Sequence, residues 1–236
     1  MAKVIRAEYR AMRSEVPSET IATAMGSILK KKHEAGELLR GSVFRRGIDL
    51  FLYLELLVDD DKVIPGSTDP SGIVTLSRVE GLTELADSWF GDIAFMFREH
   101  SGLGEQHRWL YMHPVFWHDL ADEAGDWMEG RAGAEPLGKV AVLNSEKLAS
   151  YVFHHQDITA EGLLKGPRTK FISLFGRVLF MCQDLVDERP EVNVRRNDEP
   201  SKALERWEAA GSAGHFVDLT GIPGKAFKEM ETLAYV

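Results

Sequence analysis

The amino-acid sequence predicts an α+β fold made of two tandem βαββαβ units. Three observations predict it. The stretch "GIDLFLYLELLVDD", from Gly47 to Asp60, returns without a gap as "GRVLFMCQDLVDE", from Gly176 to Glu188. Gly47 and Gly176 lie 129 positions apart in a chain of 236 residues, and an echo near half the chain length is the mark of a duplication. The segments flanking each copy follow the same order of strand, helix, hairpin, helix and strand, which is the split βαβ or ferredoxin-like order. Within the first copy, Leu50, Leu52, Leu54 and Leu56 alternate with Phe51, Tyr53, Glu55 and Leu57. Period-two alternation gives a strand two different faces. The all-leucine face suits a core under helices, and the Phe/Tyr/Glu face suits the wall of a cavity between two sheets.

The elements of the first unit, residues 1–118, run in order. "KVIRAEYRAMR" alternates and reads as a strand. "PSETIATAMGSILKKKHEAGELLRG" opens on Pro17 with a Ser/Thr cap signal, keeps helical spacing and breaks near Gly36 and Gly41. "SVFRR", a turn at Gly47 and "DLFLYLELLV" read as a hairpin. Residues 59–81 are rich in Asp, Pro and Gly and read as a long loop. "LTELADSWFGDIAFMFREH" reads as a second helix and "HRWLYMHPVFW" as the closing strand, with His118 at the entry to a helix.

Residues 119–147 read as a connection, and residues 148–236 as a shorter second unit. There "KLASYVFHHQ" reads as a strand and "TAEGLLKG" as about two turns of helix. "TKFISLFGRVLFMCQDLV" is the hairpin again. "EPSKALERWEAAG" is a helix capped by Ser201, and "KEMETLAYV" is the closing strand. Phe180, Cys182 and Asp184 repeat the cavity-facing positions of the first copy.

Composition bounds the function. The chain is 44% hydrophobic and 28% charged, with a net charge of −9 and a pI near 5.4. That balance argues against nucleic acid or an anionic membrane surface as partner, since both need clustered Lys and Arg. No apolar run approaches a membrane span, and the opening residues lack a signal-peptide core, which suits a cytoplasmic protein. The single cysteine, Cys182, excludes an internal disulfide and a cysteine-based zinc site.

The candidate site residues are those expected on the inter-sheet face. Glu55 and Asp184 are carboxylates on otherwise apolar strands, and a buried carboxylate needs a partner or a task. Arg6 and Arg10 on the first strand are the partners considered for them. Tyr53 shares the Glu55 face. His113 shares strand parity with Tyr111, and a histidine beside a carboxylate can exchange protons near neutral pH. Trp89 on the second helix can stack on a ring. His113 and Glu55 are therefore the expected catalytic pair, with Tyr53, Tyr111, Trp89, Arg10 and Asp184 as ligand contacts.

The hairpin "SVFRRGIDLFLYLEL", the helix segment "LADSWFG" and the strand "HPVFW" together resemble the L-rhamnose mutarotase family, of the dimeric α+β barrel superfamily. The resemblance covers most of residues 3–118 and, more weakly, 147–236. It implies paired sheets enclosing a sugar-sized ligand, within one duplicated chain or across a homodimer, and cofactor-free anomer exchange or isomerisation by proton transfer. The family's early-helix histidine has no counterpart in "SETIATAMGS", so proton transfer here would fall to other groups. Two further readings stay open. One is a haem protein resembling chlorite dismutase, with His154 or His113 as axial ligand. The other is a non-catalytic ligand-binding or assembly module.

Overall fold

The computed structural model of the chain describes residues 2–66, 75–100, 107–117, 127–161, 169–185 and 201–236. His118 and part of the 59–81 loop, residues 67–74, lie outside them. The strands are β1 (Ala2–Met12), β2 (Leu38–Arg46), β3 (Asp49–Asp59), β4 (Leu110–Trp117), β5 (Glu135–Val142), β6 (Phe171–Phe175), β7 (Val178–Leu185), β8 (Lys228–Glu229) and β9 (Glu231–Tyr235). The helices are α1 (Ser18–Glu34), α2 (Leu82–Trp89), α3 (Leu148–Glu161) and α4 (Lys202–Ala209).

Local chemistry sets these elements. In α1, Ile21, Met25 and Leu29 recur every four residues and are buried on one face. Glu19 in its first turn and Lys31, Lys32 and His33 in its last turn complement the helix dipole. Gly36, at φ 71°, lets the chain turn away. The two hairpins share one turn: Arg46 pairs with Asp49 and Phe175 with Val178, leaving Gly47-Ile48 and Gly176-Arg177 as two-residue loops. Gly47 and Gly176 take φ of 62° and 59°, so the echoed glycines occupy equivalent turns.

All nine strands join one antiparallel sheet in the order β8-β5-β7-β6-β4-β1-β3-β2-β9. The last strand divides between the two ends of that order. Lys228–Glu229 pairs with β5, and after Met230 the chain pairs with β2 through Glu231–Tyr235. The sheet is thereby nearly closed, like a barrel. β4 divides in the same way, pairing with β1 through Leu110–Met112 and with β6 through His113–Trp117.

Two expectations need correction. "KLASYVFHHQ" is not a strand but the body of α3. The first strand of the second half is instead "EPLGKVAV", β5, inside the stretch 119–147 that reads as a connection. It pairs with β7 over its whole length, from Glu135–Leu185 to Val142–Val178.

Three side-chain clusters fill the molecule. Under α1 and α2, the outer face of the first half packs Tyr9, Leu50, Leu52, Leu54 and Leu56, which is the expected leucine face. Under α3 and α4, the second half packs Ala141, Leu143, Ile172, Leu179 and Met181. Inside the sheet, Phe44, Phe51 and Tyr53 of the first half meet Val140, Phe171, Phe180 and Cys182 of the second. The rings of Phe51 and Phe180 lie 5.1 Å apart. Gly138 makes this contact close: a Cβ there would stand 2.5 Å from the Phe44 ring. The expected facing of the two halves is present, and where these rings meet the inner faces are packed with side chains.

At one end of this interior lies a charged network. The guanidinium of Arg131 donates to both oxygens of Glu55, at 2.8 and 3.1 Å, and through Nε to Asp184 at 2.7 Å. All three residues are buried. Tyr53 donates its hydroxyl to Glu55 at 2.6 Å and accepts from Arg6 Nε at 2.8 Å. Arg40 lies 3.6 Å from Asp184 and donates to the carbonyls of Arg131 and Ala134. Burial by itself would push the Glu55 carboxyl up, but the charge and hydrogen bonds of Arg131 outweigh it and hold Glu55 below the usual range. Removing one partner from such a set strands a charge in a dry interior. Arg131→Met is expected to destabilise the protein by about 3–5 kcal/mol, read from urea unfolding, while the surface change Lys30→Met is expected to shift stability by less than about 0.5 kcal/mol.

Candidate functional site

The structure brings together only some of the residues singled out from the sequence. Tyr53, Glu55 and Asp184 meet in the interior, where Arg131 ties them into one buried network. Arg10 shares their face but stands near the rim, paired with Asp49 at 2.7 Å. Tyr111 and His113 lie on the opposite face. Tyr111 stands across from Tyr9, whose hydroxyl donates to the Leu82 carbonyl under α2, and cross-strand partners share a face. Met112 therefore points inward and His113 is exposed. Trp89 is half-buried on α2 beneath the Lys32 ammonium, 5.0 Å from its ring. The expected pairing of His113 with Glu55 does not occur, because the two residues face opposite sides of the sheet.

Open space lies elsewhere. One cavity of about 780 Å³ sits in the first half near Trp89, Leu57 and Val63. A larger one of about 950 Å³ lies in the second half, between the outer face of the sheet, helices α3 and α4, and residues 212–227. Pockets of this size with mostly apolar walls and a few polar groups are the usual form of small-molecule sites.

The floor of the larger cavity is set by strand register. Lys139 of β5 pairs with Met181 of β7, which pairs with Ile172 of β6. Alternation puts Lys170 and Gln183 on the same face, one step along β6 and β7. All five residues line the cavity. Lys139 also lies 3.6 Å from Glu229 of β8. Lys170, by contrast, has no carboxylate partner among the described residues.

The walls are held by the two helices. Ser201 caps α4 by accepting from the Leu204 amide at 3.0 Å, as its position in the sequence predicts. Glu161 at the end of α3 accepts from Ser201 and from the amides of Lys202 and Ala203, placing its charge on the positive end of α4. Arg206 of α4 donates to Asp157 of α3. These ties set Trp207 over the cavity, with its ring 4.9 Å from His155 and 4.5 Å from His215. His215 is fixed in turn between Ser150 at 2.9 Å and the Gly211 carbonyl at 3.3 Å.

Tyr151 and His155, one helical turn apart on α3, stack at 3.8 Å. His155 Nδ1 donates to the Tyr151 carbonyl at 3.0 Å, which leaves Nε2 as an acceptor. The Tyr151 hydroxyl is buried without a hydrogen-bond partner, and burial pushes its ionisation up, so it stays protonated. Burial also lowers His155, to about 4, against the opposing hydrogen bond to the Tyr151 carbonyl. Lys170 is lowered as well, by burial first and then by the charge of Lys139. The cavity therefore offers a neutral imidazole and an amine that has no carboxylate partner among the described residues.

None of these groups is among the expected site residues, although Lys170 opens the second hairpin and Tyr151 and His155 lie in "KLASYVFHHQ". The usable signal was the spacing Leu148, Tyr151, Val152, His155, Ile158 and Thr159, which is helical and puts His155 on the buried face of α3.

No protein-family model and no curated protein matches the chain. A solved structure from Fusobacterium nucleatum, of a protein described provisionally as a monooxygenase, is similar over 99% of this chain and 94% of its own. The identity is 9% and the TM-score 0.43, a likeness that carries no argument about what this chain does. No helix among the described residues is long and apolar enough to cross a membrane.

His155 gives the site a pH signature. Its ordinary value is 6.5 and the fold lowers it to about 4, so the unfolded chain takes up a proton that the fold refuses. The contribution to stability is full above the unfolded value and is lost as pH falls from there towards 4, by roughly 3 kcal/mol in all. His155→Gln cannot titrate. Urea unfolding at pH 7 and pH 4 is expected to show a smaller acid loss in that variant than in the parent, by about that amount.

Proposed function

We propose that the chain is a tandem pair of ferredoxin-like units and that its second unit binds a small organic ligand with an apolar or aromatic body and one polar end. Duplication is supported by sheet order. The first half runs β4-β1-β3-β2 and the second β8-β5-β7-β6, the same permutation of fourth, first, third and second strand. The equivalent turns at Gly47 and Gly176 set the register between the copies.

That register supplies the observation that carries the reading. Lys170 falls where the first half has Gly41, and Gln183 where it has Leu54. Lys139, across from Met181, matches Tyr9, across from Leu52. In the first half these positions are sealed: a Cβ on Gly41 would already touch Leu29 and Leu38 at 3.0 Å, and Tyr9 and Leu54 are fully buried. In the second half the same three positions carry two amines and an amide beneath a cavity. Lys139 has Glu229, and Lys170 and Gln183 stand half-buried beside it on a largely apolar floor, which suits a ligand with one polar end.

The walls are aromatic and aliphatic: Tyr151, Trp207, Phe216, Ile158 and Leu204. They favour an arene or branched alkyl body over the hydroxyl-covered surface of a sugar. A sugar held between the inner faces, as the mutarotase resemblance implies, would have to displace the Phe51–Phe180 contact.

The test is a titration of the full-length protein with 3-phenylpropanol and, separately, with L-rhamnose. It tracks the part of the tryptophan emission that is absent in Trp207→Phe. Saturable quenching by 3-phenylpropanol at micromolar concentration is expected, with no response to millimolar L-rhamnose. Gln183→Phe, which fills the floor, is expected to weaken binding by about tenfold, a change of about 1.4 kcal/mol. A response to L-rhamnose alone, or none to either compound, overturns the reading.

A further inference from the structure

We propose that Lys170 is a nucleophilic amine that forms an imine with the carbonyl carbon of an aldehyde or ketone held in the second-half cavity. The proposal rests on that cavity being a ligand site and names the reactive class of ligand it takes.

Four observations meet at this residue. Lys170 lines the cavity just before β6, beside the apolar side chains of Ile172 and Met181. It has no carboxylate partner among the described residues, whereas Lys139 on the same floor has Glu229. Lys139 is the neighbouring cation, and its charge acts on Lys170. The imidazole of His155 lines the same cavity and is near enough for Lys170 to act on it electrostatically.

An amine in apolar surroundings beside another cation gives up its proton more readily than a solvated lysine, and the free amine is the nucleophile. Burial and Lys139 both act in this direction on Lys170. A lysine meant only to hold an anion gains nothing from losing its charge. An amine meant to attack carbon does.

The step balances within the cavity. The lone pair of Nζ adds to the carbonyl carbon, and the C=O π pair moves to oxygen. The nitrogen gives up two protons in all and the oxygen receives two. The C–O bond breaks, water departs and C=N remains. His155 Nε2 can accept a proton from nitrogen, and the water leaves through the cavity.

The experiment uses full-length protein with 3-phenylpropanal and sodium cyanoborohydride at pH 7. The borohydride delivers hydride to the imine carbon and fixes the adduct as a secondary amine, which is located by peptide mass spectrometry. Lys170 is expected to be labelled about tenfold faster than the mean of the exposed lysines, because the cavity holds the aldehyde against it. 3-Phenylpropanol, which has the same body and no carbonyl, is expected to slow that labelling. Lys170→Arg is expected to remove the fast adduct, with a circular-dichroism spectrum matching the parent's as the check on folding. Labelling of Lys170 no faster than that of exposed lysines overturns the proposal. If 3-phenylpropanol still perturbs Trp207 in that case, the cavity reading survives and only the imine falls. If neither compound perturbs Trp207 and Lys170 is not labelled, both fall.

Discussion

Arg131 holds the two halves of this molecule to one another. Its guanidinium takes both oxygens of Glu55 from the first half and one oxygen of Asp184 from the second. Three ionised groups in a dry interior are tolerated only when the geometry satisfies nearly every donor and acceptor, and here Tyr53, Arg6 and Arg40 complete the set. The faces of the sheet must then meet in one register, with Gly138 under Phe44 and Phe51 against Phe180. This constraint produces a packed interior and displaces usable space to the outer faces.

The outer faces differ. The first half closes its helix–sheet layer with Tyr9, Leu54 and Leu29 of α1, and the second leaves a cavity over Lys139, Lys170 and Gln183. Under the proposed duplication, one unit keeps a sealed core that supports the sheet, and the other loosens its core to hold the proposed ligand. The second unit's looseness is bounded by specific ties, since Glu161 caps α4, Arg206 holds α4 to α3, and His215 is pinned by Ser150.

Much of the framework was legible in the sequence because it depends on local periodicity. The leucine face of β3, both hairpins with their glycine turns, α1 and the Ser201 cap stand where spacing and turn chemistry put them. Four things were not legible, each for a physical reason. The body of α3 is rich in aromatic and β-branched residues, and its helical spacing competes with that composition. β5 carries Pro136 and Gly138 and reads as loop, yet Gly138 is there because the Phe44 ring occupies the space of its side chain. The face of β4 is set by its pairing with β1, which puts Tyr111 opposite Tyr9, and its register with β6 shifts between Pro114 and Phe116. Tyr111 and His113 do share a face, as their spacing puts them, but spacing alone does not say on which side of the sheet that face lies. The carboxylates Glu55 and Asp184 were recognisable as needing a partner, but the partner, Arg131, comes from a stretch with no periodic signal.

The central claim is that ligand space lies outside the sheet, under α3 and α4, and not between its inner faces. Anomalous diffraction from crystals grown with 3-(4-bromophenyl)propanol locates a bound bromine directly. The account predicts a bromine peak in the second-half cavity, within contact of Trp207 and above the Ile172–Met181 floor, with Phe51 and Phe180 undisturbed. A peak between Phe51, Tyr53 and Phe180, with those side chains moved apart, would contradict it.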